Sequence, residues 1–241
     1  MIFTGTVQRV VATLEAAEGM TIRSFQEGRI ETEPTFTDRF LGAVEMAFGE
    51  TVRVRDYKFK ARTLRDRGPG APENEFGADL CGVLDIDIEH FKLSKGFLAQ
   101  AKIAGKEEVS ITKEPLDALN VQVTRENSDY PKVQVRLSGK PNDKKPRLLT
   151  QCEHMLEITP DSYVFIYSLE GILVVPASTI TNMSFERKPQ PVYSKTLSQF
   201  FRDFLMSFIG DLRLKAYDDE TLRELRNSTR ANTALLLQMR Q

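Results

Sequence analysis

The sequence predicts an α/β protein built in the order helix, three strands, helix, strand, with a helical C-terminal extension. Two strand segments and one helix carry that reading. In 79–89, Leu80, Gly82, Leu84, Ile86 and Ile88 share one parity and Asp79, Cys81, Val83, Asp85 and Asp87 the other, which is the two-residue period of a pleated strand. In 96–103, Phe97, Ala99, Ala101 and Ile103 face one way and Leu98, Gln100 and Lys102 the other. In 33–49, Phe36, Phe40, Leu41, Val44 and Phe48 fall on one helical stripe.

The other elements follow along the chain. Val7, Val10, Val11 and Leu14 have helical spacing, and Gly19 reads as the stop. An irregular or strand-like stretch then runs to Ile30, so residues 1–32 form an N-terminal helical segment. Pro34 sits in the first turn of the next helix, and Gly49 ends it. Val54, Tyr57 and Phe59 suit a strand, and Arg67-Gly68-Pro69-Gly70-Ala71-Pro72 is a loop by its Gly and Pro content. Residues 107–145 hold short Val-rich runs but no clear element. Leu148, Cys152, Met155 and Leu156 place a helix over 146–158. Residues 163–169 and 172–175, joined by Glu170-Gly171, read as a buried hairpin. Pro189-Gln190-Pro191 marks a break, so the core spans 33–188. Residues 189–241 read as the helical extension, with helices over 196–209 and 218–239.

Composition bounds the function. A 241-residue chain that is 41% hydrophobic and 28% charged builds an ordinary soluble core, which excludes a disordered tail or a membrane bundle. No run approaches the roughly 20 apolar residues of a membrane span. The N-terminus lacks a basic segment followed by an apolar one, so a cytoplasmic location is expected. Cys81 and Cys152 both lie in apolar-periodic segments and read as buried free thiols. His90 and His154 are the only histidines, which disfavours chemistry that needs a His-rich metal cage. The net charge of −1 hides a segregation: residues 51–67 hold seven bases against two acids, 73–89 six acids and no base, and 132–147 six bases against one acid. Acids hold hard cations and bases hold phosphates.

The acidic strand carries the candidate site. Asp79 starts it, and Gln100 and Lys102 stand two apart on the next strand, so pleating puts their side chains on one face. Asp79 and the Gln100 amide oxygen are hard ligands suited to Mg²⁺. Lys102 supplies a positive charge for a water nucleophile or for developing negative charge. That is equipment for attack by water on a phosphodiester.

Gly77-Ala78-Asp79 followed by Gln100-Ala101-Lys102 resembles the motif of the PD-(D/E)xK nuclease superfamily, in the variant that replaces the motif's acid by Gln. The resemblance spans residues 33–180 and implies a restriction-endonuclease-like core. It implies an Mg²⁺-dependent endonuclease, with Mn²⁺ as substitute, acting on nucleic acid with double-stranded DNA favoured. A role as effector in bacterial anti-phage defence or restriction is implied with it. Asp79, Gln100 and Lys102 are then the catalytic residues, with Asp79 and Gln100 on the metal. Because Gln100 brings no charge, the family pattern asks for a further carboxylate from the helix over 33–49, either Glu33 or Glu45, with Glu75 a third candidate. The uncharged Gln100 also leaves an alternative: a nuclease-fold subunit without catalysis, binding nucleic acid or assembling a defence complex.

Other side chains carry weaker readings. Asp85 and Asp87 share the parity of Asp79 but read as solvated strand-end charges. Gln151 and Glu153 read as a solvated helix face, with substrate contact at Gln151 the rival. His154 reads as a packing or surface residue. Lys144, Lys145 and Arg147 read equally as contacts to a DNA backbone or as solvating loop charges, and Arg223, Arg226 and Arg230 recur along the last helix as an exposed face, with nucleic-acid contact the rival reading. Phe200, Phe201, Phe204, Phe208 and Ile209 offer more apolar surface than one helix face needs, which suggests a homo-oligomer or a regulatory partner docked on the C-terminal helices.

Overall fold

Strand alternation sorts the buried side chains onto two faces of one sheet. The computed structural model describes residues 3–49, 52–54, 57–65, 78–104, 120–124, 131–136, 147–183 and 190–241. The helices are α1 (Phe3–Gln26), α2 (Glu33–Gly49), α3 (Arg147–Ile158), α4 (Ala177–Thr181), α5 (Leu197–Leu205) and α6 (Asp219–Ser228). The strands are β1 (Val52–Val54), β2 (Tyr57–Arg65), β3 (Leu80–Ile88), β4 (Phe91–Ile103), β5 (Asn120–Thr124), β6 (Lys132–Arg136), β7 (Ser162–Ser168), β8 (Gly171–Pro176), β9 (Gln190–Tyr193), β10 (Lys195–Thr196) and β11 (Thr233–Arg240). Among the described residues, eight strands form a mixed sheet in the order β1-β2-β11-β3-β4-β7-β8-β10, and β5-β6-β9 form a small second sheet. The pairs β11–β3 and β4–β7 are parallel, and the other pairs are antiparallel. The chain is thus a mixed α/β protein.

One face of the large sheet presents Leu84, Phe97, Ala99, Phe165 and Leu235 to a core shared with α1, α2 and α5. The other face presents Cys81, Val83, Leu98, Val164 and Leu236 to α3, α4 and α6. Both cysteines are buried free thiols, and burial pushes each up to about 12. No described helix is long and apolar enough to cross a membrane.

The expected order of helix, three strands, helix and strand is present as α2, β2, β3, β4, α3 and β7, and β7–β8 form the hairpin closed at Gly171. Two expectations fail. The first helix does not stop at Gly19; it runs on to Gln26 because Thr21, Ile22 and Phe25 continue its buried stripe. One helical glycine costs only about 1 kcal/mol. Residues 189–241 are not a helical extension either. They include β11, which lies between β2 and β3 at the heart of the sheet. Ala234, Leu235, Leu236 and Leu237 are buried on both parities, as a strand covered by helices on both faces requires.

Helix α5 also differs from its expected role. Thr196 and Gln199 close a capping box at its start, and Phe200, Phe201 and Phe204 are fully buried around Phe97. The Phe200 and Phe204 rings meet Phe97 edge-on with centroids at 5.0 and 5.1 Å. The apolar surplus of this helix is therefore internal, and of the segment's phenylalanines only Phe208, beyond the helix end, is exposed. Phe97 stands opposite Gly82, and a Cβ there would lie 2.3 Å from the ring. With other phenyl rings around it, Phe97 has nowhere to move. Gly82→Ala is expected to destabilise the fold by about 1–3 kcal/mol, the usual cost of overpacking; an unchanged melting curve would show that the ring relocates freely.

Beneath α5, Lys95 is buried in β4 and donates to the carbonyls of Phe204 and Ile209, the latter at 2.7 Å. Burial lowers its pKa to about 8, against the opposing pull of Asp161. An unfolded lysine titrates near 10.4, so between about pH 8 and 10 the unfolded chain holds more proton and stability gains as pH rises. Lys95→Met is expected to remove that gain. Melting temperatures of both proteins from pH 7 to 10 check it, and parallel profiles would contradict it.

Candidate active site

The register of β3 and β4 builds the site. Leu80 pairs with Ala99, and the Asp79 amide donates to the Ala99 carbonyl at 2.9 Å, so Asp79 lies opposite Gln100. Asp79 Oδ2 accepts the Ala101 amide at 2.8 Å and also the Gln100 Nε2 amide. Asp79 Oδ1 accepts Asn232 Nδ2 at 3.1 Å. Asp79 is partly exposed as a residue, but these three neighbours enclose its carboxyl group. Burial pushes that carboxyl above the usual range; the Ala101 amide, Lys102 and Asn232 act the other way, while Glu33 adds to the rise.

Glu33, the first residue of α2, reaches around the sheet end from the opposite layer. Its Oε2 accepts Lys102 Nζ at 3.1 Å, and its Oε1 accepts the Ile103 amide at 3.2 Å. An acid in the first turn of a helix is favoured by the helix dipole. The Lys102 side chain is 13% exposed and that of Glu33 34%, so the pair is sheltered but reachable.

Of the candidate residues, the structure brings together Asp79, Gln100, Lys102 and Glu33. Glu45 stands three turns further along α2, is exposed, and accepts Thr63 Oγ1 at 2.8 Å. The rise of the helix carries it away from Lys102, so of these two acids Glu33 is the one that stands beside the Lys102 ammonium. Glu75, Lys144 and Lys145 lie outside the described residues.

Several weaker readings change. Asp85 is buried rather than solvated, in an ion pair with Arg240 of β11. Asp87 is exposed and pairs with Lys92 at 3.0 Å. Gln151 is buried on α3, not solvated, and its Oε1 has no hydrogen-bond partner among the described residues. Glu153 and His154 are half-buried, and Arg147, Arg223 and Arg230 are exposed. Asn232 was not signalled by any motif. It lies far from Asp79 along the chain, in the stretch over 218–239 that the sequence reads as helical.

The donor set fits a hard divalent cation. Gln100 is 2% exposed, yet among the described residues its Oε1 has no hydrogen-bond partner, and a buried acceptor of that kind calls for a ligand. Beside it stands a desolvated carboxylate whose charged form needs compensation. Among the described residues no group of three or more His, Cys, Asp or Glu gathers as a metal cluster. The oxygen set is therefore two carboxylates and an amide, which suits Mg²⁺, an ion that keeps several waters. Compared with family models, curated proteins and solved structures, the chain matches none.

Proposed function

We propose that this protein is a metal-dependent phosphodiesterase, an endonuclease acting on nucleic acid with double-stranded DNA favoured. The observation that carries the proposal is the convergence of Asp79, Gln100, Lys102 and Glu33 at one sheet end, where the buried Gln100 Oε1 has no hydrogen-bond partner among the described residues. The resemblance to PD-(D/E)xK nucleases, with its restriction-endonuclease-like core and implied part in anti-phage defence or restriction, supports the same reading.

Asp79 and Gln100 would hold the cation, and Glu33 is the further carboxylate that the described residues bring to the same sheet end. A bound Mg²⁺ or Mn²⁺ supplies Lewis-acid stabilisation of charge on the phosphoryl oxygens. Lys102 presents its ammonium to the phosphate, where it offsets charge that grows in the transition state. Glu33 fixes that ammonium through a short ion pair, itself anchored on the Ile103 amide. Water attacks phosphorus and gives up one proton to solvent, the bond to the leaving oxygen breaks, and that oxygen takes up one proton from solvent, so the proton count balances.

The test is nicking of supercoiled plasmid with Mg²⁺, with Mn²⁺ and with EDTA. Cleavage in both metals and none in EDTA is expected. Binding of DNA and RNA without turnover in either metal would overturn the enzymatic reading in favour of a non-catalytic nucleic-acid-binding subunit, which the self-paired Lys102 and Glu33 also accommodate. Gln100→Glu is expected to retain or raise activity, because a carboxylate is a stronger Mg²⁺ ligand than an amide oxygen. A folded but inert Gln100→Glu protein would show instead that the amide NH₂ is required.

A further inference from the structure

We propose that Asn232 is a positioning residue of this site: its side-chain amide orients the Asp79 carboxyl for a divalent cation, which makes the turn between α6 and β11 part of the site. The inference rests on the phosphodiesterase reading above and deepens it.

The turn grips Asp79 at several points. The Asn232 amide donates to the Ala78 carbonyl at 2.9 Å, and the Thr233 amide to the Asp79 carbonyl at 3.0 Å. Thr233 Oγ1 donates to the same Asp79 carbonyl at 2.6 Å. These bonds hold the backbone of Asp79. The carboxyl plane is held separately, from two sides. The Ala101 amide and Gln100 of β4 take Oδ2, and Asn232 Nδ2 takes Oδ1. A carboxyl tied at one oxygen still rotates; tied at both, its remaining lone pairs keep a fixed direction. Partners that orient a ligating carboxylate in this way strengthen metal binding.

A purely structural role explains the contact poorly. Strand β11 is already paired with β2 and β3 along its whole length. Asn232 is exposed, and an exposed hydrogen bond adds about 1 kcal/mol or less to stability. The left-handed φ of 53° at Arg230 belongs to the Schellman cap of α6, in which the Arg230 amide donates to the Asn227 carbonyl at 3.2 Å and the Ala231 amide to the Arg226 carbonyl at 3.0 Å.

The experiment compares wild type, Asn232→Ala, Asp79→Asn and the double variant, in the full chain. Mn²⁺ binding is followed by the electron paramagnetic resonance signal of the free ion, and nicking is titrated with Mg²⁺. Asn232→Ala is expected to weaken Mn²⁺ binding and raise the Mg²⁺ half-saturation by about tenfold, with a smaller effect on the saturated rate and a melting temperature close to wild type. Loss of packing alone would lower the melting temperature and leave the half-saturation in place. The double variant should bind Mn²⁺ no worse than Asp79→Asn alone. If Asp79→Asn loses Mn²⁺ and Asn232→Ala matches wild type, the role of Asn232 falls and the site stands. If Asp79→Asn binds Mn²⁺ like wild type, the metal-site reading itself falls.

Discussion

Truncating Lys102 or Asp79 to alanine is expected to lower plasmid nicking by about 10²–10³-fold or more, the usual loss when a charge aimed at the transition state is removed. The two variants should stay folded. Lys102 takes part in no core cluster, and its loss leaves Glu33 partly exposed and able to find water. Asp79 precedes β3, whose ladder with β4 and β11 is intact without the carboxyl. Nicking rates and melting curves measured side by side check both points. Wild-type rates in both folded variants would remove these residues from the chemistry.

Asp79→Asn is expected to raise the melting temperature of the cation-free protein at pH 7 and to abolish its stabilisation by Mg²⁺. The carboxyl is raised in the folded protein, chiefly by burial. Below the unfolded value, near 3.9, both states are protonated and nothing is lost. From there up to the raised folded value the unfolded chain gives up its proton while the folded chain keeps it, and stability declines. The amide stays neutral, and its NH₂ fits against Asn232 once that side chain turns its oxygen inward, so its melting temperature should not show that decline between pH 4 and 7. A cation at a hundredfold excess over its dissociation constant adds about 2.7 kcal/mol to wild type. Equal Mg²⁺ shifts in both proteins, or a variant that melts lower at pH 7 without cation, would contradict the assignment.

How much was legible in the sequence depended on periodicity. The pleated alternation at 79–103 fixed two strands, their faces and three site residues, because apolar and polar positions differ sharply there. Glu33 and Glu45 were not separable, since both belong to one helix and only its approach to β4 decides. The strand at Thr233–Arg240 was misread because Leu235, Leu236 and Leu237 are apolar on both faces, and a run of that kind carries no period. Losing that strand also hid Asn232, whose link to Asp79 exists only once β11 is inserted.

The insertion of β11 has a consequence for biosynthesis. β2 and β3 are neighbours in sequence, but in the finished sheet each pairs with β11 rather than with the other. A ribosome adding about 5–20 residues per second takes roughly 7–30 s to travel from the end of β3 to the start of β11. Throughout that interval the nascent chain carries two open strand edges, templates for wrong pairing between chains. The interval ends only when a late-made strand threads between two early ones, a long-range closure of the kind that slows folding. The same event delivers the turn that holds Asp79, so the proposed cation site stays unassembled until the sheet is complete.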